Sequence, residues 1–595
     1  MRAVCPTGDE VIVASTDFEW RQAEIRKIVP CRECQANQVR VDADFHYSHF
    51  GEVTYGVDER AEVGLLTRNI RLDAEMQPDC YAYNDKEAEN CDIFKRDTFG
   101  GHVKFVRDSW ARVQGVQLSH MGQQAVLATY PLHFHLADDV PGQYLRNNVI
   151  RDSNSRCVTI HGTDHLEVSN NVCVYHLGHG IFLEDSAEQN NTIHRNLIIG
   201  TQYGTLLFTD RDVDWCRERA FCGLLSSYWI THPRNFFTEN VAAGSESFGM
   251  VLAFADRPLG PSFDRQVERG LYEEMSTRYT KVAQFSKNVM HSNKHGGLWF
   301  DNRLSYGQID MHRFVPENGK LGLNQYTPRE PNNINGTIVE TYLSELTMYK
   351  NDERNSWVRC GNIVIMNSSF ADSPTSYVAA HSGEDPTSCD VRNSLFIGET
   401  DNKGEPWSYT FHLPEFSHLP KSQRPSHQFD RSISKMRPYT TVNYFSKPIS
   451  LRHYCKVDNQ FRVMDGNAST PYWTVFDGTM NINFRDYDGS LTGRSEVQIV
   501  DDRPYFTTDR CRSMPDWGLA ICPYRYFMLV VRGRTGVLMS KYKGRSPVFI
   551  RRDDAPQDVY SQKGAQSERQ TAEEIGVFFL VQSDPIEISV RAIMV

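Results

Sequence analysis

An asparagine set just before a short apolar run recurs along the chain, at Asn148-Val-Ile, Asn171-Val-Cys-Val, Asn196-Leu-Ile-Ile, Asn240-Val-Ala-Ala and Asn288-Val-Met. The steps are 23, 25, 44 and 48 residues, the last two close to twice the first two. Asn367-Ser-Ser-Phe and Asn393-Ser-Leu-Phe repeat the theme 26 residues apart. Helical periodicity is scarce, and short apolar stretches broken by Gly, Asn, Asp and Ser read as strands with turns. A unit of about 22–26 residues built of short strands is what one coil of a parallel β-helix requires. The leucine spacing of leucine-rich repeats is absent. The asparagines fall at one corner, where side-chain amides of successive coils can stack. The longer steps read as two coils each.

A second track runs beside the first and ends in acids. Its runs are His133-Phe-His135-Leu-Ala-Asp138-Asp139, Cys157-Val-Thr-Ile-His161-Gly-Thr-Asp164 and Gly180-Ile-Phe-Leu-Glu184-Asp185. Gly204 to Asp212, Gly249 to Arg257 and Gly297 to Arg303 continue it. From Asp164 the acid steps by 21, 25, 46 and 45 residues. Equivalent positions on neighbouring coils lie roughly 4.8 Å apart, so these acids are expected to stack in a ladder. Carboxylates at that spacing repel, which calls for counter-charge. Arg211, Arg257 and Arg303 follow Asp210, Asp256 and Asp301 by one or two residues, and a divalent cation is the other candidate.

The expectation is a mostly β chain. The parallel β-helix solenoid covers 76–440, a β-rich lead-in 1–75, and a small β-sandwich-like C-terminal region 441–595, with a possible second piece from about 525. At 595 residues the chain is long enough for two to four domains. A net charge of -11 makes nucleic acid a poor main partner. No apolar run reaches the eighteen or so residues of a bilayer span. Fourteen cysteines and sequons at Asn190, Asn335, Asn367 and Asn467 favour an oxidising, extracellular setting. Cys80 with Cys91, Cys216 with Cys222, and Cys511 with Cys522 are close enough in sequence to staple loops, and Cys31-x-x-Cys34 reads as a structural pair. No signal-peptide core segment opens the chain, so an exported protein would carry its targeting segment outside this sequence.

The motifs Phe99-Gly-Gly-His102-Val-Lys, His120-Met-Gly-Gln-Gln124, Tyr130-Pro-Leu-His133-Phe-His135-Leu, Ser155-Arg-Cys157-Val-Thr-Ile-His161-Gly and Leu177-Gly-His179 carry a family resemblance. So do the run Asp58 to Ile70, Ala242-Ala-Gly244-Ser and Met514-Pro-Asp516-Trp517. They resemble the family of the cell migration-inducing and hyaluronan-binding protein and the transmembrane cell-surface hyaluronidase. The resemblance runs nearly the whole length and is strongest over 50–305. It implies a right-handed parallel β-helix that binds and depolymerises hyaluronan outside the cell, with calcium as cofactor. It also implies that residues 1–75 are the remnant of a glycine-rich β-domain. Two departures stand out: Asp138 where the family usually has glycine, and a shorter linker between Asp139 and Tyr144.

Hydrolysis of a glycoside needs one group to protonate the leaving oxygen and another to activate water or attack the sugar. The acids placed for this are Asp185, Asp210 and Asp212, with Glu184 beside them, since a crowded carboxyl holds its proton longer. Arg211 suits a uronate carboxylate by two-point contact. His133 and His135 share one side of a strand, and His161, with His179 further on, comes from the next coils. Such a cluster binds a metal, acts as acid or base, or is a satisfied internal stack. Calcium prefers oxygen, which puts it on Asp138, Asp139 and Asp164. Arg156 with His161 would serve a lyase, abstracting the proton next to a uronate. Arg156, His135, Arg257 and Arg303 are the further substrate contacts. Asp210-Arg-Asp212-Val-Asp214 opens like a calcium loop but places Cys216 sixth and Phe221 twelfth, which excludes an EF-hand. Trp299 and Trp357 either stack on sugar rings or fill the core. The alternatives are therefore a hyaluronan hydrolase, a calcium-assisted lyase on the same fold, and a non-catalytic hyaluronan-binding module.

Overall fold

The computed structural model describes residues 7–75, 100–123, 126–203, 225–254, 260–300, 326–359 and 361–373, and beyond these only short segments, most of them strands. The chain divides into two units, 1–378 with 399–412, and 379–398 with 413–595.

The first unit is a right-handed parallel β-helix with three sheet faces. The first face stacks Val116–Ser119, Val149–Arg151, Val172–Val174, Leu197–Thr201, Val241–Ser245, Val289–Asn293 and Thr347–Tyr349. The second stacks Leu132–Asp139, Val158–Asp164, Ile181–Leu183, Ser226–Ile230, Phe248–Leu252, Gly296–Phe300 and Ser356–Arg359. The third runs from Tyr144–Arg146 through Glu167–Ser169, Thr192–His194 and Phe236–Thr238 to Gln284–Ser286. Registered neighbours Ile150, Cys173, Ile198, Ala242 and Met290 point inward and are buried. Leu145, Val168, Ile193, Phe237 and Phe285 fill the same core from the third face.

The asparagine corner is a continuous amide ladder. Asn148 Nδ2 donates to Asn171 Oδ1 at 3.0 Å, Asn171 to Asn196 at 3.0 Å, Asn196 to Asn240 at 3.0 Å and Asn240 to Asn288 at 3.2 Å. Each oxygen also takes the backbone N–H of the asparagine one coil back. The residue before each asparagine, Asn147, Asn170, Arg195, Glu239 or Lys287, holds a left-handed φ of 53–59°, which turns the chain through the corner. That conformation is costly for a residue with a side chain, and the amide bonds offset it.

The ladder corrects the doubled-step reading. Asn196 bonds Asn240, and Asn240 bonds Asn288, directly, so 44 and 48 residues are each one coil with an excursion. The excursion after Leu252 contains the helix Gly260–Glu268 (α1) and the turn of helix Ser276–Tyr279 (α2). Pro261 sits in the first turn of α1, where its missing N–H leaves no bond unmade.

The lead-in does not stand alone. Strands Glu10–Val13, Glu24–Val29, Arg40–Val41 and Val63–Leu65 form an antiparallel sheet that lies on the outside of the first face. Ile12, Ala14, Ala23 and Leu66 pack there against Val149, Val172, Val174, Ile199 and Ala243. In the second unit Phe484–Asp486, Val497–Asp501, Leu519–Cys522 and Arg512–Met514 make one antiparallel sheet, and Arg525–Arg532 pairs Glu574–Val581 antiparallel. The disulfides Cys31–Cys34 and Cys511–Cys522 form as read. Cys80, Cys91, Cys216 and Cys222 lie outside the described residues.

Glu59, fully buried, sits with Asp372, Lys350 and Thr400. Burial first, and Asp372 second, push its carboxyl from 4.5 up to about 9. Lys350 Nζ lies 3.8 Å from Asp372, which also accepts the Thr400 N–H at 2.6 Å. A folded pKa above the unfolded one means the native state keeps a proton that the unfolded state loses. The contribution of Glu59 is therefore complete below pH 4.5 and is lost as pH rises towards 9. Denaturant titration should show stability falling over that window by at most about 1.4 kcal/mol per pH unit. Glu59→Gln should flatten the slope, and an equal slope in the variant would refute the assignment. Asn196→Ala should cost about 3 kcal/mol, because it leaves the buried Asn171 N–H and one of the two hydrogens on Asn171 Nδ2 without an acceptor. A thermal-melt loss under 1 kcal/mol would mean that the ladder is incidental.

Candidate active site

The candidate centre lies on the outer side of the second face. Leu132, Phe134, Val158 and Ile160 point into the coil, so the alternate residues His133, His135, Thr159 and His161 point out. His135 pairs directly with His161 across one coil. Ile160 pairs with Leu183, which brings Glu184 beside His161 in the next coil.

His161 is the hub. Its Nε2 lies 3.0 Å from Asp185 Oδ2 and its Nδ1 3.1 Å from His135 Nδ1. Glu184 Oε2 is 3.8 Å from His161 Nδ1 and 3.8 Å from an Arg156 nitrogen. Two imidazole nitrogens 3.1 Å apart need one hydrogen between them. An imidazolium at His161 supplies it and keeps its other N–H for Asp185. The electrostatics agree. Burial works against charge on His161, but Asp185 and then Glu184 outweigh it and lift the ring to about 9. Burial and the His161 charge hold His135 down to about 4, and burial with both neighbouring histidines holds His133 at about 2. Asp185 is fully enclosed, which raises its pKa, yet His161 keeps it below the usual carboxylate range. Glu188 is pushed well up, first by burial and then by Asp185. Glu188 Oε1 accepts the N–H of Gly162, whose φ of +51° sets the bend after His161. A Cβ on Gly162 would meet Leu136 Cδ2 at 2.7 Å and Ser262 Oγ at 3.0 Å.

Among the described residues the acids do not stack into a ladder. Ser226–Ile230, not the Gly204 run, stacks on Ile181–Leu183, so the position beyond Glu184 is Thr231. Ser186 N–H donates to Thr231 Oγ1 at 3.1 Å across that step. Asp164 pairs with Asp139 and is two positions out of register with Asp185. The excursion lengths had imitated a periodic step. Asp210, Arg211, Asp212, Arg257 and Arg303 lie outside the described residues.

Asp138, Asp139 and Asp164 do not fit the calcium cage the resemblance implies. Asp138 receives Arg265 from α1 at 2.6 and 2.9 Å, Arg107 at 3.1 Å and Arg269 at 3.7 Å. Partial burial opposes its charge, but Arg265 and Arg269 hold its carboxyl below the usual range. Asp139 is taken by His165 at 2.6 Å, and Asp164 by the Gln189 N–H at 2.8 Å and Arg269 at 3.4 Å. Burial, the largest influence, raises Asp164 to about 6. Asp138 has φ +61°, the left-handed conformation that glycine adopts freely, which accounts for the family's glycine there. In this chain Asp138 adopts it and is repaid by three arginines 31 to 131 residues away.

Arg156 is not a substrate contact. It is 2% exposed, 3.0 Å from the Tyr130 hydroxyl, with its guanidinium 3.6 Å from the centroid of Phe182. It lies buried beside Glu184, 3.8 Å from that carboxylate. His179 stands apart from the other histidines, against Phe182 and Trp229 at 4.9 and 5.0 Å. Trp299 and Trp357 are outside the coil, stacked 5.0 Å apart. Sequence reasoning missed Glu188, Lys104, Arg107, Arg265 and Arg269. Only Glu188 had a signal, as the third acid in Glu184-Asp185-Ser-Ala-Glu188. Among the described residues, His133, His135 and His161 are the set that brings three ligand atoms within 4.8 Å of one another.

The architecture defines a protein of the parallel β-helix class. Residues 98–298 match the family described as CEMIP beta-helix, so the chain carries the β-helix of that family. It is 31% identical to cell surface hyaluronidase CEMIP2 of Homo sapiens over 88% of this chain and 41% of that protein. Cell migration-inducing and hyaluronan-binding protein of Mus musculus is 31% identical over 88% of this chain and 42% of its own length. Cell surface hyaluronidase of Danio rerio is 30% identical over 92% and 42%. The chain thus spans about two fifths of the length of these relatives. A solved tailspike protein covers half of the chain at a TM-score of 0.19 and 10% identity, which carries no argument.

Histidine NMR on the labelled protein should show His161 protonated through neutral pH up to about 9, with His135 neutral down to about 4. Asp185→Asn should bring His161 down to or below its ordinary 6.5. A native His161 that titrates near 6.5 would break the assigned hydrogen-bond order.

Proposed function

We propose that this chain binds hyaluronan along the outer side of the second face and hydrolyses its β-1,4 N-acetylglucosaminide linkage, outside the cell. The observation that carries the reading is the pair formed by His161, fixed by Asp185, and His135 at the half-buried edge, 3.1 Å away. His161 is the proton reserve and His135 the ring that meets the polymer. As His161 Nδ1 passes its hydrogen to His135 Nδ1, the outward Nε2–H of His135 protonates the leaving oxygen. Glu184, held by Arg156, is the carboxylate for water activation. Lys104 and Arg107, both exposed, supply positive charge for uronate groups beside this centre. Trp299 lies four coils from His161, roughly 19 Å along the axis, and offers a platform for a sugar ring further down the polymer.

The names of the relatives support hyaluronan as the ligand class and a cell-surface setting. The disulfides Cys31–Cys34 and Cys511–Cys522 and the exposed sequon residues Asn335 and Asn367 support an oxidising compartment. No helix among the described residues is long and apolar enough to cross a membrane.

The test is a size-shift gel of labelled hyaluronan, run with ultraviolet absorbance and a calcium-chelator arm. The polymer should shorten without a rise in absorbance, and His161→Gln or Asp185→Asn should slow it by about 10²- to 10⁴-fold. Rising absorbance would mean a lyase. Intact but retained polymer would leave only a binding module. Since Asp138 is held by arginines, no step runs through calcium, and loss of cleavage under the chelator would contradict that.

A further inference from the structure

We propose that His133, His135 and His161 form a three-imidazole site for a divalent transition metal of the zinc class. The strand period sets it up: His133 and His135 are two apart on one strand, and His161 is the direct partner of His135 on the next coil. The three rings pack on one another, with centroids 4.9 Å apart for His133–His135 and His135–His161, and 6.4 Å for His133–His161. Their nearest ligand atoms fall within 4.8 Å, and the Nδ1 atoms of His135 and His161 are 3.1 Å apart. Two nitrogens each about 2.0–2.1 Å from one tetrahedral ion sit about 3.3–3.4 Å apart. The His135–His161 spacing of 3.1 Å is already close to that, and closing a gap of up to 4.8 Å takes a combined ring shift of about 1.5 Å.

The outer partners are those a metal-bound histidine needs. His161 Nε2 has Asp185 at 3.0 Å, which fixes the tautomer and leaves Nδ1 as the ligand atom. His133 Nδ1 has the Ala128 carbonyl at 3.4 Å, which leaves Nε2. That His133 Nε2 is a second and independent sign. The ring is fully buried, and this nitrogen has no hydrogen-bond partner. A buried lone pair with nothing to bind is costly, and a metal satisfies it.

Imidazole selects zinc, copper or nickel over calcium, which takes oxygen ligands. Three protein ligands leave a fourth position, on the side of the half-buried His135, for water or another small ligand. The metal takes the place of the hydrogen between His161 and His135. It would therefore displace the proton donor of the hydrolytic reading and supply the positive charge instead. The inference does not rest on that reading, because metal content is measured without any polysaccharide.

The experiment uses the whole chain, stripped by chelator and dialysed, then loaded with Zn²⁺ or with Co²⁺ as a visible-absorption probe. Metal per chain is counted after gel filtration, and folding is followed by circular dichroism. One equivalent and a tetrahedral Co²⁺ band are expected. His133→Ala and His161→Ala should each weaken binding at least 10-fold, and Asp185→Asn about 10- to 100-fold. His135→Ala, at the half-buried ring, decides the matter if either buried substitution fails to fold. His179→Ala should leave the count unchanged. A folded wild type without tight metal, or a folded His135→Ala that keeps the same stoichiometry, affinity and Co²⁺ band, overturns the proposal.

Discussion

The stacked asparagine amides are the constraint on which the rest depends. A parallel coil closes only if each corner turns the backbone sharply and still satisfies the buried polar groups it exposes. Here one side chain does both jobs for its neighbour. Its oxygen takes the backbone N–H and the amide of the coil before, and its own amide bonds a carbonyl of the previous coil, as Asn196 does with Val168 at 2.9 Å. Shorter ladders repeat the device at the other corners, with Asn191 on Asn235 at 3.2 Å and Asn293 on Asn351 at 2.8 Å. The first ladder ends where Leu346 takes the asparagine position and its N–H turns to the Ser368 hydroxyl at 3.0 Å.

Fixed corners make the second face a rigid frame, and the frame selects what its outer side can hold. His135, His161 and Glu184 are vertical neighbours only because their coils are locked in register. Helix α1, carried on an excursion, then closes over that end: Ser262 reaches towards Gly162, and Arg265 settles on Asp138. Charge is sorted as a result. Asp138 is matched to arginine and Asp185 to His161, while burial and then Asp185 push the Glu188 carboxyl well up.

Much of the frame was legible in the sequence. The asparagine at the head of each apolar run gave the coil, the corner and the amide stack, since all three follow from a residue type repeated at one position. Register beyond the short coils was not legible. An excursion adds residues without adding a coil, and its length carries no periodic signal. Steps near twice the unit therefore looked like skipped coils, and the acid at 210 looked like the next position when Thr231 holds it. The arginines on Asp138 were hidden for a related reason: Arg265 is 127 residues away and meets it only through the fold. The His133, His135 and His161 cluster was visible because a two-residue spacing and a one-coil step both have a geometric meaning.

The central claim is that each asparagine step is one coil, whatever its length. His194 and Thr238 test it most directly, since they are 44 residues apart, partly exposed, and paired in the third face. Neighbouring coils put two Cα atoms roughly 4.8 Å apart, within reach of a disulfide. A skipped coil would put them roughly 10 Å apart, out of reach. Mass mapping of the His194→Cys/Thr238→Cys variant after mild oxidation should find the two new cysteines joined in folded protein. If they stay free while the fold persists, the register fails, and the cluster around His161 loses the frame that assembles it.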